Sequence, residues 1–375
     1  MADFTTLQEM ILEARKRLSP SLWDFVAGGT ESEMTLRHNR YGLDRLAFRP
    51  RVLRDVSRVD TATTFLGRRL SIPIMLAPIG SLVLIDPAGA VAPALAAAQR
   101  NTLMFYSTFA DPPLDIVTSK VPHPIVVALY IRDGDAWLDE QVDKIKSLGC
   151  AAVCIVTEAP YYSRRERDLM NKFLSRGSRS GTYANTQRIL RDGGTPEEIK
   201  TANARMVTAR VTWKTIQRIQ QRSSLPIILK GIATAEDARI AVEHGVAGIY
   251  VSNHGGRQLD HCHPSIDVLP EIVDAVAGKA EVIMDGGIYR ASDALKAIAL
   301  GARAICIGRL QCWALAAGGE AALVRALEIL EEELIIGMGL LGVTKLSELN
   351  RSYVSPVVPA TPPALLSPFP IVLGR

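Results

Sequence analysis

The chain has 375 residues, 48% of them hydrophobic and 22% charged, enough to bury a large core, and α/β barrels of this size are routinely one domain. A formal net charge of +4 is small for this length, and no lysine- or arginine-rich block occurs, so nucleic acid is not an expected partner. No apolar run reaches the roughly 18 residues of a membrane span. Cys150, Cys154, Cys262, Cys306 and Cys312 are odd in number and form no Cys-x-x-Cys pair. They read as reduced core thiols of a cytoplasmic protein, and no metal site is expected.

In chain order, residues 4–46 read as helices, with Asp3 or Thr5 as N-cap and Gly28-Gly29 ending the segment around Trp23. This N-terminal region, 1–65, should cap one end of the domain formed by the later residues. From residue 72, short β-branched runs alternate with amphipathic segments, the pattern of repeated βα units. The runs are 72–78, 103–107, 125–131, 151–157, 226–232, 248–253, 281–287 and 304–310. Helices are expected at 87–101, 137–148, 212–222, 234–244, 266–276, 292–300 and 320–340. Eight such strands predict an α/β fold, a closed (β/α)8 TIM barrel over 66–345. No strand leads into Gly-x-Gly-x-x-Gly, which argues against an open doubly wound sheet. The stretch 160–211 after strand four is too long for an ordinary connection and is rich in Arg, Ser, Gly and Thr, so it reads as a mobile excursion over the catalytic face. The tail, 346–375, carries Pro356, Pro359, Pro362, Pro363, Pro368 and Pro370 and reads as an extended arm on this subunit or a neighbour.

In such a barrel, chemistry sits at the C-terminal ends of the strands and phosphate at the loops after strands seven and eight. Asp285-Gly286-Gly287 ends strand seven, and Gly308-Arg309 ends strand eight with a cation beside a glycine. Lys230 closes strand five, where a core strand should not place a charge without a partner. After strand six, Val251-Ser252-Asn253-His254-Gly255-Gly256-Arg257-Gln258-Leu259-Asp260 puts a histidine and an arginine three apart across two glycines. The glycines let backbone pass close to a flat ligand, and the arginine suits a carboxylate.

That ten-residue string resembles the signature of the FMN-dependent 2-hydroxy acid oxidases and dehydrogenases, the family of glycolate oxidase, lactate oxidase and mandelate dehydrogenase. The likeness extends from Ala27-Gly28-Gly29 through Phe48-Arg49-Pro50-Arg51 and Ile74-Met75-Leu76-Ala77-Pro78 to Ile307-Gly308-Arg309. It implies FMN as cofactor, a small-molecule 2-hydroxy acid as substrate, and a homo-oligomer, tetrameric or larger. By resemblance His254 is the general base and Glu158 stabilises its imidazolium, in place of the family's aspartate. Lys230 faces the flavin N1 and C2 carbonyl, where charge accumulates on reduction. Arg257 and Arg165 clamp the substrate carboxylate, and the Tyr130 hydroxyl contacts the reaction centre; Arg164 and Arg167, beside Arg165, read as a solvated face.

Pro78, Ile79, Gly80, Ser107, Ala128, Val156, Lys230, Ser252, His254, Gly255, Asp285, Gly286, Gly287, Gly308 and Arg309 occupy the positions expected to contact FMN. Several depart from the family pattern. Ala128 stands for a glutamine and Val156 for a threonine that bond the flavin ring, and Phe25 for a tyrosine on the substrate carboxylate. Tyr289 replaces an arginine that pairs with the phosphate, leaving Arg309 and, as a second candidate directly after Tyr289, Arg290. With Phe25 and Phe109 near the substrate and Gly80 leaving room for a large substituent, a bulky or aromatic (S)-2-hydroxy acid is expected. Two other readings stand beside this one. An FMN barrel with isomerase-like chemistry would have no use for two arginines beside a histidine. A degraded barrel that only binds would be expected to have lost His254.

Overall fold

The structure is a computed structural model that describes residues 4–173, 210–360, 362 and 364–373. Most of the excursion expected over 160–211 therefore lies outside the described residues. Three helices come first: α1 (Leu7–Arg17), α2 (Pro20–Ala27) and α3 (Met34–Asp44). The cap of α1 is Thr6, which accepts from the Glu9 amide at 3.3 Å while Glu9 accepts from the Thr6 amide at 2.8 Å. That reciprocal pair, one residue past the expected Thr5, is set by where the glutamate falls. Ser19 caps α2 and Pro20 opens it, and the chain leaves it at Gly28.

Three short strands precede the barrel: β1 (Leu46–Phe48), then the hairpin of β2 (Thr63–Phe65) and β3 (Arg68–Leu70). The barrel follows as β4 (Ile74–Leu76), β5 (Met104–Ser107), β6 (Ile125–Leu129), β7 (Ala152–Val156), β8 (Ile227–Ile232), β9 (Gly248–Val251), β10 (Glu281–Met284) and β11 (Ala304–Ile307). All pairs are parallel, and β11 closes onto β4. Each strand falls inside its expected run, because strands buried on both faces must read as continuous apolar stretches.

The pleat divides these strands between two cores. Ile74, Leu76, Val127 and Leu129 face the surrounding helices, whereas Met75, Ala77, Val126 and Ala128 face the barrel axis. Phe65 and Leu70 of the β2–β3 hairpin join the inner cluster, so the hairpin plugs the barrel and the boundary expected at 65/66 falls in its turn. A helix at Leu114–Lys120 was not expected; seven residues with three β-branched positions give too little periodicity to read. The long helix after the barrel runs Arg309–Leu341, broken by non-helical angles at Gly318 and Gly319, and so starts directly after β11 rather than near residue 320.

Of the three N-terminal helices, α2 and α3 lie at the mouth of the barrel, while α1 packs along the helix Arg309–Leu341 on its flank. Helix α3 is fixed by a buried ion pair, Arg40 to Asp293 at 2.9 Å, and by Asn39 Nδ2 donating to Asn253 Oδ1 at 2.9 Å. The tail lies on its own chain. Strand β12 (Val354–Pro356) pairs antiparallel with β1, Ser367 donates to Asp44, and Phe369 and Val372 are buried. Cys150, Cys154, Cys306 and Cys312 are buried thiols as expected, whereas Cys262 is only half-buried because its loop crosses the rim.

Candidate active site

One cavity opens at the C-terminal ends of the barrel strands. Pro78, Ile79, Gly80, Ser107, Phe109, Tyr130, Arg165, Lys230, His254, Gly255, Arg257, Asp285, Gly286, Gly287, Gly308, Arg309 and Phe25 all line it. Of the residues expected at the site, Ala128, Val156, Ser252 and Glu158 do not. Ala128 and Val156 belong to the packed interior of the barrel. With no polar atom in either side chain, nothing draws them to the surface of the cavity.

Lys230 shares the parity of Ile228, an inner-core residue, so the pleat aims its ammonium along the barrel axis instead of into solvent. It is 2% exposed and bonds both Glu158 Oε1 and Ser252 Oγ, the latter at 3.0 Å. Glu158 Oε1 also meets His254 Nδ1 at 2.9 Å. One carboxylate oxygen thus serves an ammonium and an imidazole. Burial opposes the charge on Glu158, but Lys230 and His254 together hold its pKa down at about 2. Burial and the adjacent Lys230 press the His254 pKa down to about 4 against the pull of Glu158. The imidazole is therefore neutral near pH 7. Its Nδ1 faces the carboxylate and carries the proton, which leaves Nε2 with a free lone pair.

Two backbone devices make this arrangement possible. Gly231, which sequence reasoning missed, has φ +109° and sits at a register shift between β8 and β9. A Cβ there would stand 2.5 Å from Glu158 Oε2 and 2.6 Å from its Cβ, so only glycine lets the longer carboxylate pass. The Lys-Gly pair closing strand five was the available signal. His254 itself lies at φ +57° with Gly255 and Gly256 also at positive φ. Both glycines also stand close to protein neighbours: a Cβ on Gly256 would meet the Leu36 amide at 2.5 Å, and one on Gly255 would meet Arg309 at 2.9 Å.

Arg257 and Arg165 stand together on one side of the cavity. Burial, then the neighbouring Arg165 and Arg309, lower the Arg257 pKa to about 9. Its guanidinium donates to the carbonyls of Phe25 at 2.7 Å and Gly28 at 2.9 Å and lies 5.1 Å from the centre of the Phe25 ring. Asp168, 4% exposed and also missed by sequence reasoning, faces both arginines, with its pKa raised by burial. Arg164 is solvated as expected. Arg167 is not: it pairs with Asp24 at 3.2 Å and Glu33 at 2.6 Å, docking the fourth loop onto α2 and the start of α3. Tyr130 packs at 4.7 Å on the ring of Phe109, and its edge faces His254 at 6.5 Å between ring centres.

A Cβ on Gly80 would meet Phe109 Cβ at 3.0 Å and the Phe109 carbonyl oxygen at 3.4 Å, so the glycine also admits the close approach of the Phe109 backbone. Arg290 does not reach the cavity: it pairs with Glu333 at 2.7 Å and packs on Phe369. Asp285 is held by Tyr250 at 2.9 Å and Ser252 at 2.6 Å. Gly308 faces open space, since a Cβ there would find only Ile79 Cδ1, at 4.0 Å.

A flat cofactor fits these residues. The backbone of Pro78-Ile79-Gly80 and the bare Gly308 would cradle it, and Lys230 would supply positive charge to it. The fold and site thus define a barrel enzyme that pairs a planar, phosphate-bearing cofactor with a carboxylate substrate. The chain belongs to the FMN-dependent dehydrogenase family, whose model matches residues 14–356. It is 37% identical to glycolate oxidase 3 of Arabidopsis thaliana, with 94% of this chain and 96% of that one aligned. With L-lactate oxidase of a Nostoc species it shares 38% identity over 91% of this chain and 95% of the other. The crystal structure of a mandelate oxidase superposes with a TM-score of 0.85 at 35% identity, covering 95% of this chain and 99% of that one. The chain is an FMN-dependent 2-hydroxy acid oxidase by family.

Proposed function

We propose that this enzyme oxidises (S)-2-hydroxy acids bearing a bulky or aromatic side chain to the 2-oxo acids. The observation that carries the reading is the joint placement of a carboxylate-backed imidazole, His254 on Glu158 at 2.9 Å, and two arginines, Arg165 and Arg257, on one cavity. The arginines bind the substrate carboxylate and orient its α-carbon. His254 Nε2 then takes one hydrogen as a proton, and Glu158 stabilises the imidazolium that forms. Bound FMN supplies the acceptor for the electron pair and the second hydrogen. Tyr130, kept protonated by burial, can donate to the substrate oxygen. Phe25, Ile79, Ile85, Phe109, Tyr161 and Tyr162 supply an apolar wall for the side chain, and mandelate oxidase, of similar structure, has been crystallised with (S)-mandelic acid.

The test is anaerobic addition of (S)-mandelate, (S)-lactate and glycolate to the FMN-loaded chain, followed by flavin absorbance. Fastest bleaching by mandelate is expected; fastest bleaching by glycolate refutes the bulky class. A flavin that no hydroxy acid bleaches would favour isomerase-like chemistry. By family likeness the assembly is a homo-tetramer or larger, and the five free thiols fit a reducing compartment such as the cytoplasm; sedimentation and cell fractionation measure the two.

A further inference from the structure

Three neighbouring strands carry a second polar group into the barrel, beside the His254–Glu158 pair. Tyr250 on β9 and Cys306 on β11 belong to the inner core, and Asp285 follows β10 between them. Tyr250 is fully buried, packs edge-on against Phe105 at 5.3 Å between ring centres, and does not line the cavity. Filling the barrel axis needs only its ring. The hydroxyl, costly to bury unpaired, donates to Asp285 Oδ2 at 2.9 Å, and the Cys306 thiol adjoins it.

The other oxygen of Asp285 is committed in one direction. Ser252 Oγ accepts from Lys230 Nζ and from the His254 amide, both at 3.0 Å, so its own proton goes to Asp285 Oδ1, at 2.6 Å. Both carboxylate oxygens therefore accept, as those of an anion do, and each keeps a lone pair for a ligand in the cavity. Lys230 thus answers two carboxylates, Glu158 directly and Asp285 through Ser252, and its ammonium lies 5.4 Å from the centre of the Tyr250 ring. Burial raises the pKa of Asp285; Lys230, Ser252 and Tyr250 resist the rise, and Glu158 adds to it. Cys154 on β7 is a further titratable neighbour.

We propose that Tyr250 is a positioning residue of the flavin reaction: its hydroxyl holds Asp285 as a second counter-anion of Lys230, so the positive charge offered to the flavin is set from beneath the cavity and not by Lys230 alone. The inference rests on Lys230 facing the flavin, which the family resemblance implies. A hydrogen bond to a charged group is worth roughly tenfold to a hundredfold in an equilibrium. Without the hydroxyl, Asp285 should take up its proton about one to two pH units higher.

The experiment compares the parent with Tyr250→Phe, which keeps the ring. In the flavin-free chain, infrared titration follows the carboxylic acid band of Asp285, identified by its absence from Asp285→Asn. Its midpoint should rise by about one to two pH units in Tyr250→Phe. In the FMN-loaded chain, sulfite affinity reads the charge at the site, because sulfite adds to oxidised flavin and leaves a negative charge on it. Between the two midpoints Asp285 is neutral only in the variant, which should bind sulfite about tenfold more tightly there and equally at higher and lower pH. A merely structural tyrosine would shift the affinity alike at every pH. An unchanged midpoint overturns the proposal, and so does a moved midpoint with sulfite affinity unchanged throughout. Should Tyr250→Phe not fold, Asp285→Asn supplies the second comparison. It should bind sulfite more tightly than the parent above the parent's midpoint and equally below it; equality throughout overturns the proposal. None of these outcomes depends on which hydroxy acid bleaches the flavin, so the enzymatic reading stands or falls separately.

Discussion

Removing the Lys230 charge should raise the pKa of His254 and shift the acid limb of catalysis upward. Lys230 Nζ and His254 Nδ1 bond the same oxygen of Glu158. Two hydrogen bonds to one atom keep their nitrogens within roughly 5 Å. At that separation and an effective dielectric constant of about 20, two unit charges repel by about 3 kcal/mol, equivalent to about two pKa units. The repulsion acts only on the protonated imidazole, so it adds to burial, the larger cause, in lowering the histidine's pKa to about 4 against the pull of Glu158. Lys230→Met deletes the repulsion and keeps the apolar bulk, and Glu158, starting from about 2, remains a carboxylate above about pH 5.

The pKa of His254 should then climb to about 6. Because the base must be neutral to accept a proton, kcat/KM should begin to fall at correspondingly higher pH, while Lys230→Arg keeps the parent profile. Substrate ionisation is common to all three proteins and cancels in the comparison. Nitrogen NMR of the imidazole in the flavin-free chain reads the same shift without any contribution from the flavin. An imidazole pKa in Lys230→Met within about half a unit of the parent's would refute the electrostatic coupling.

Other consequences are separately measurable. The folded-state pKa of His254 lies below its ordinary 6.5, so the unfolded chain binds the extra proton, and stability is full above pH 6.5 and lost as pH falls toward 4. Urea titration of the flavin-free chain at pH 7 and pH 5 should show this as about 2 kcal/mol more loss in the parent than in His254→Asn. Gly231→Ala should destabilise by well over about 1 kcal/mol and disturb the His254 pKa, since its methyl would displace Glu158; unchanged Tm would show that the bulge is slack. Arg257→Met should raise KM for a hydroxy acid by roughly tenfold or more, a loss that a neutral hydroxy amide should not share. Tyr289→Arg would bury a third cation between Arg40 and Arg309, so Tm should fall, and saturating FMN should recover part of the loss if the new charge reaches the phosphate.

The barrel was readable because strands covered on both faces must be apolar throughout, whereas the pairing of His254 with Glu158 was legible only through the family resemblance, which carries a base and its carboxylate over position by position. Lys230 was harder. Its charge at a strand end was visible, but the partner depends on the register that sets Val156 against Lys230 and on the Gly231 bulge, and neither is a property of local composition. The glycines at 80, 255 and 256 were seen as sites of close approach, yet the protein groups that approach are Phe109, Arg309 and α3, and φ alone does not say which.

Arg309 shows the limit most sharply. A cation beside a glycine at a phosphate loop invites an anion, and side-chain chemistry supports that reading. Its charge and two of its five N–H donors remain at the cavity, but the protein partners of the others are carbonyl oxygens of residues 26–28 and 255, and every residue type has one, so no sequence pattern distinguishes the four that matter. They become acceptors for Arg309 only because α2 ends over the barrel mouth with its last carbonyls unbonded. The substitution at Tyr289 likewise depends on neighbours distant in sequence: an arginine at 289 would add repulsion against Arg40 and Arg309, whereas an aromatic ring completes the column with Trp313 and Phe369.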